Sequence, residues 1–160
     1  MIKKTVSYII SKIKKRAFYF DDNIPNSYVF DLLLSKVIDA LRGVLKLRKV
    51  IFVGSDSKFI CKNKINIGSG VTIGCNTELN GLGENGLVIG NGTSIGSFCF
   101  IRVSGSLIDI GKGIQIGNNV GIGDFCHIGG AGGVYIGDNT ITGAYLSIHP
   151  ENHVIDSLNE

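Results

Sequence analysis

A chain of 160 residues is long enough for one domain with its own core, and an apolar share of 44% excludes a disordered polymer. Twenty-three glycines beside two prolines exclude a collagen repeat and point to many tight corners. The net charge of +3 divides unevenly: residues 1–49 carry eleven bases against four acids, a surplus of +7, and the remainder is −4. A basic arm on a mildly acidic body suggests either an anionic partner, such as a membrane surface or a nucleic acid, or a solvated helix face.

Residues 2–20 place Ile2, Val6, Ile9, Ile10, Ile13 and Ala17 at helical spacing, with lysines between them. The apolar run between the basic clusters of "MIKKTVSYIISKIKK" is too short for a signal peptide. "DDNIPNS", 21–27, reads as a turn-rich break. Residues 28–47 then repeat the helical pattern with Phe30, Leu33, Leu34, Val37, Leu41, Val44 and Leu45. Asp31, Lys36, Asp39, Arg42 and Lys46 interrupt that run, which makes it a poor membrane span and a good amphipathic helix. Two roles are open to it, packing on the domain that follows or lying on a bilayer surface with its lysines toward anionic headgroups; packing is the favoured one, and residues 1–20 are the segment expected to touch an anionic membrane. The chain thus divides into an N-terminal helical segment, 1–49, and a second domain, 50–160.

From about residue 50 the period becomes six. Ile67, Ile73 and Leu79 are six apart, as are Ile89, Ile95 and Ile101, then Ile110, Ile116, Ile122 and Ile128, then Ile136, Thr142 and Ile148. A glycine follows most of them, and four residues on comes a small or aliphatic residue such as Val71, Thr77, Thr93, Cys99, Ile114, Val120 or Cys126. Six residues make one short strand and one corner. Three such sides close a coil, and stacked coils pair backbone to backbone at about 4.8 Å. The first aliphatic and the smaller residue four later point inward, so no coil buries itself and stability comes from its neighbours. The frame slips at "NGLGENG" (80–86), "RVSGSL" (102–107) and "GGAGG" (129–133), which are expected to be loops outside the coil, where substrate contacts usually lie. Cys61, Cys75, Cys99 and Cys126 form no C-x-x-C pair and no zinc-ligand spacing, consistent with free, mostly buried thiols in a reducing cytoplasm.

The repeat in "IGSGVT IGCNTE", "IGNGTS IGSFCF" and "IGNNVG IGDFCH" resembles the hexapeptide-repeat acyltransferases over roughly residues 50–156, and more narrowly the sugar and polysaccharide O-acetyltransferases. The resemblance implies an all-β repeat domain, a left-handed parallel β-helix, here preceded by N-terminal amphipathic α-helices. It implies acetyl-CoA as acyl donor, a sugar or cell-surface polysaccharide precursor as acceptor, a homotrimer, and no metal or nucleic acid. The implied setting is cytoplasmic, with the inner face of the membrane as a place for the basic arm. Within "IGDNTITGAYLSIHPENHVID" the ungapped family register from Ile136 puts the catalytic base on His153, with Glu151 and Asn152 as substrate-binding residues. Val154 stands where envelope-polysaccharide members often carry an aromatic, and Phe125 where some galactoside-type members carry an asparagine. Relatives continue with further repeats that build much of the acetyl-CoA groove, whereas this chain stops at Glu160, so a shortened repeat domain is expected.

The chemistry needs a base because an acceptor hydroxyl is a weak nucleophile toward a thioester. A neutral imidazole near its own pKa takes that proton as the hydroxyl attacks, and backbone N–H groups receive the developing oxyanion. N-acetylation of an amino sugar fits the same residues. Two other readings stand beside this one. A γ-carbonic-anhydrase-like enzyme would hold a metal on His127, His149 and His153, although the gaps of twenty-two and four residues are shorter than that family's. A non-catalytic β-helix scaffold would need none of the three. His127 follows Cys126 at an outward repeat position, and His149 lies between inward Ile148 and Pro150.

Overall fold

The computed structural model describes residues 2–14, 17–108 and 110–151. Asn152 and His153 lie outside the described residues, and Glu151 is an exposed residue at their edge. Two helices come first, α1 (Ile2–Lys14) and α2 (Asn26–Leu47). Helical spacing runs on to residue 20, but α1 ends at Lys14. The Phe18 N–H donates to Ser11 Oγ at 2.9 Å, and the Phe20 N–H donates to Ser7 Oγ at 3.4 Å. These hydroxyls capture the backbone donors of the following segment, which returns alongside α1 instead of prolonging it. The helix α2 starts behind Pro25 and stops where Arg48 turns left-handed (φ 55°), its N–H bonded to the Val44 carbonyl at 2.9 Å. Val29 and Gly43 are its buried residues, and a Cβ at Gly43 would collide with the Ile51 carbonyl, so the helix backbone lies directly against the start of the second domain.

There the chain makes repeated circuits, each visiting three parallel sheets in the same order. The first circuit is β1 (Phe52–Val53), β2 (Lys58–Ile60) and β3 (Ile65–Ile67), with a single 3-10 turn at Lys62–Lys64. The second is β4 (Thr72–Ile73), β5 (Glu78–Asn80) and β6 (Leu87–Ile89). The third is β7 (Ser94–Ile95), β8 (Phe100–Arg102) and β9 (Ile114–Ile116). The fourth is β10 (Gly121–Ile122), β11 (His127–Gly129) and β12 (Val134–Ile136). In the fifth, a bridge from Gly121 to Ile141 precedes β13 (Ser147–Ile148). The sheets are β1-β4-β7-β10, β2-β5-β8-β11-β13 and β3-β6-β9-β12. This parallel architecture is compatible with a parallel β-helix.

Register explains the six-residue period. In the first sheet Val53, Ile73, Ile95 and Ile122 pair in line, and in the second Phe59, Leu79, Ile101, Ile128 and Ile148 do so. Ile67, Ile73, Ile89, Ile95, Ile116, Ile122 and Ile136, all expected inside, are buried. Ile110 departs from that expectation. It is 37% exposed, because it belongs to the long connection 103–113 and not to a strand. Where the small inward corner residue is polar, it has a partner. Thr77 Oγ1 donates to the Gly96 carbonyl at 2.9 Å, and Thr93 Oγ1 to the Gly117 carbonyl at 2.8 Å. Each hydroxyl therefore satisfies a buried acceptor of the next circuit. Cys99 Sγ does the same to Gly123 at 3.2 Å, and burial pushes its thiol up to about 11. All four cysteines are free. At Gly74 a Cβ would overlap the backbone of Gly96 and Ser97, so circuits touch along that glycine column.

The frame slips all fall at one corner, between the second and third sheets, as connections 81–86, 103–113 and 130–133. They bond to one another: the Glu84 N–H donates to Gly111 O at 2.9 Å and the Lys112 N–H to Ala131 O at 3.0 Å. Among the described residues no helix is long and apolar enough to cross a membrane.

Candidate functional site

The outward side of the five-stranded sheet carries Glu78, Arg102, His127 and Ser147, with His149 just beyond its last strand. Strand alternation decides who stands there. Glu78, Phe100, His127 and Ser147 share one outward row across β5, β8, β11 and β13. Asn80, Arg102 and Gly129 form the next row, and His149 continues it one residue beyond β13. Gly129 puts no side chain into that row, and the His149 ring lies over the His127 ring, with centroids 4.7 Å apart and planes 22° from parallel.

Hydrogen bonds and charge tie the rows together. Ser147 Oγ and His149 Nε2 share a hydrogen bond of 2.8 Å. Arg102 Nε donates to Glu78 Oε1 at 2.7 Å, and its guanidinium lies 4.8 Å from the Phe100 ring centroid. The Glu78 side chain is mostly buried at 15% exposure, so this pair is better ordered than a typical surface ion pair. Burial lowers the His127 pKa from its ordinary value, and the positive potentials of His149 and Arg102 lower it further. His127 is therefore a neutral imidazole near pH 7. Its Nδ1 is buried without a hydrogen-bond partner among the described residues.

A second ladder flanks the first. Phe98, Phe125 and Tyr145 sit at the corner leading into the sheet, all left-handed (φ 57°, 57° and 61°). Their rings stack with centroids 5.1 and 5.2 Å apart and planes within 8° of parallel. An asparagine would adopt that backbone more readily, and Phe125 occupies it here as the middle ring of the stack.

Of the sequence-predicted site residues, Glu151 is exposed just past Pro150, while Asn152 and His153 lie outside the described residues. His127 and His149, twenty-two residues apart, are brought into contact. Face-to-face rings do not aim their nitrogens at one common point, and among the described residues no three His, Cys, Asp or Glu side chains group as a metal ion requires. Arg102 and Glu78 were not singled out from sequence. The signal was there: Thr77-Glu78-Leu79, Cys99-Phe100-Ile101 and Cys126-His127-Ile128 stand at the same phase of the repeat, so Glu78, Phe100 and His127 share one row, and Asn80, Arg102 and Gly129 after them the next. Comparison with protein-family models, with curated proteins and with solved structures finds no match in any of the three.

Proposed function

We propose that this chain is an acetyl-CoA-dependent O-acetyltransferase of the hexapeptide-repeat kind, acting from a left-handed parallel β-helix on a sugar or surface-polysaccharide precursor. The observation that carries the reading is where the histidine segment leaves the fold. Residues 147–151 pass off the last strand of the five-stranded sheet with His149 against His127, on the same outward face that carries Arg102 and Glu78 two and three strands further in. Catalytic groups held by loops at the edge of a rigid sheet are a common arrangement.

In this reading His153 is the base and Glu151 and Asn152 hold the acceptor. His153 takes the proton of the acceptor hydroxyl as its oxygen attacks the thioester carbonyl. The carbon–sulfur bond then breaks, and the departing thiolate takes that proton from the imidazolium. Backbone N–H groups serve the oxyanion. A homotrimer closes the groove, each neighbour covering the histidine segment of the next. The setting proposed is the cytoplasmic side of a membrane that carries the acceptor.

A second assignment of the base, to His149, is favoured by its place on the same face, its ring stacked on His127 and its Nε2 2.8 Å from Ser147 Oγ. The test is acetyl transfer from acetyl-CoA to a panel of sugars. Loss of the base costs roughly 10²–10⁴-fold in rate. His153→Ala should lose that much and remain folded, and His149→Ala should lose far less. The reverse order would move the base to His149. Abolition by a chelator would restore the metal reading, and absence of both transfer and acetyl-CoA binding would leave the scaffold.

A further inference from the structure

The helix α2 is apolar on two sides. One side packs on the repeat domain through Gly43 and Leu47. On the other, Phe30, Leu34, Val37, Leu41 and Leu45 follow one another at helical spacing, each between 54% and 82% exposed. An apolar stripe on a surface helix normally faces the core, and a contiguous exposed stripe of this length marks an interaction surface. Val37 also lines a groove of about 450 Å³ walled by the two helices and by Phe52, Thr72 and Ser94 of the first sheet, and shared with Ile9 of α1, which is itself 50% exposed.

Leu45 ends the stripe and lines a second concavity of about 430 Å³. Its other walls include Lys46, Arg48, Lys49 and Lys62, and among the described residues no acidic side chain lines it. The amines are pre-positioned: Lys49 Nζ donates to the Ile67 carbonyl at 2.8 Å, and Lys62 Nζ to the Lys46 carbonyl at 3.1 Å. A neutral carbonyl orients an ammonium without cancelling its charge, and leaves donors for an incoming oxyanion. Tyr28, at the start of the helix, is 58% exposed, and tyrosine suits the boundary between an apolar and an aqueous phase.

We propose that the outer face of α2 docks on an anionic lipid surface, with the stripe in the acyl boundary and the Lys46–Arg48–Lys49–Lys62 pocket on a headgroup phosphate. The charge of the segment chooses this occupant. Residues 1–49 carry +7 and the stripe runs into four cations, a combination that complements a bilayer presenting hydrocarbon beneath phosphates. A nucleic acid offers phosphates but nothing to receive Leu34 and Leu41. The surface differs from the contact expected at residues 1–20: α1 contributes at the rim through Ile9 and the exposed Lys4 and Lys12, while Val6 and Ser7 are turned inward. The docking does not depend on the acetyl-transfer reading.

The experiment is co-sedimentation of the full chain with phosphatidylcholine vesicles, with and without phosphatidylglycerol. Binding is expected to the anionic vesicles only and to fall at high salt. Leu41→Ser with Leu45→Ser, and separately Arg48→Asn with Lys62→Gln, should each weaken it at least about tenfold. All four side chains are exposed, and asparagine tolerates the left-handed backbone of Arg48. The chain has no tryptophan, so Leu41→Trp supplies a single reporter, whose emission should shift to the blue on anionic vesicles alone. Equal binding to neutral vesicles, or an unshifted Leu41→Trp, would overturn the proposal. So would an oligomer that the serine pair dissolves without any vesicle binding, which assigns the stripe to a second copy. Binding of inorganic phosphate to the pocket while vesicles are ignored would reduce the site to a soluble anion pocket and overturn it equally.

Discussion

The two sides of the five-stranded sheet share one backbone and differ in what they repeat. Inward, Phe59, Leu79, Ile101, Ile128 and Ile148 succeed one another with hardly a change of chemistry. Outward, the same strands show Lys58, Glu78, Phe100, His127 and Ser147. Stacking makes the inward row obligatory, because each side chain is covered by those above and below it and by the inward residues of the other two sheets. The outward row is free of that demand, so different residues can accumulate where adjacent strands hold them about 4.8 Å apart. A fold that repeats inside is thereby able to build a non-repeating surface without altering its backbone.

The sharpest way to break the comparison is to put outward chemistry inside. Ile116→Asp or Ile122→Asp buries an unpaired carboxylate among aliphatic side chains, a cost comparable with a whole domain's stability of about 5–15 kcal/mol. Both variants should be unfolded or insoluble, whereas Ile116→Val should lose only about 1 kcal/mol by thermal melting. Folded, soluble Asp variants would refute the inward assignment. Next in size is the aromatic ladder. Phe125→Ala removes two ring contacts, each worth about 0.5–1.5 kcal/mol, and should lower stability by their sum. Phe125→Asn loses the same contacts but relaxes the left-handed backbone, and should fall within about 1 kcal/mol of the parent. A Phe125→Asn variant as weak as Phe125→Ala would mean that the ladder alone sets the cost.

The smallest effect is on proton binding. The folded His127 imidazole holds its proton less tightly than in the unfolded chain, first through burial and then through His149 and Arg102. The unfolded state therefore binds more protons as pH falls below the ordinary histidine value of about 6.5. The contribution of neutral His127 is whole above that pH and declines as pH falls toward the folded pKa. His127→Gln should flatten this part of the stability profile, and Arg102→Gln should let His127 titrate closer to its ordinary value in an NMR titration. A His127 that titrates at or above the ordinary value in the parent would contradict the burial of its ring.

The interior was legible in the sequence because it obeys a short period. Ile67, Ile89 and Ile136 are where counting by six puts them, and so are the inward Thr77 and Cys126. Counting failed at Ile110, where the frame resumes inside a connection and not in a strand. Helical spacing failed at residues 17–20, because it carries no information about the hydroxyls of Ser7 and Ser11 that hold Phe18 and Phe20 beside α1. The outward face was legible one residue at a time but not as a group. His127 and His149 each looked ordinary, and their contact follows from two facts that no local window contains: β11 and β13 pair in register, and Gly129 leaves its place empty. Arg102 and Glu78 escaped notice for the same reason, being twenty-four residues apart and joined only by the stacking of circuits.

The placing of every frame slip at one corner has a consequence for how such a protein can change. Connections 81–86, 103–113 and 130–133 leave the strands on both sides of them in unbroken register. Doubling the length of a loop costs only about 0.6 kcal/mol in closure entropy, so this corner is a seam at which sequence can be gained or lost while the rest keeps its frame. Leu107 and Ile108 project fully into solvent there, and a side chain at Gly105 would meet nothing within 4 Å. Drift by insertion is channelled to that edge, and it is the natural splice point for grafting an epitope or a binding peptide onto the chain.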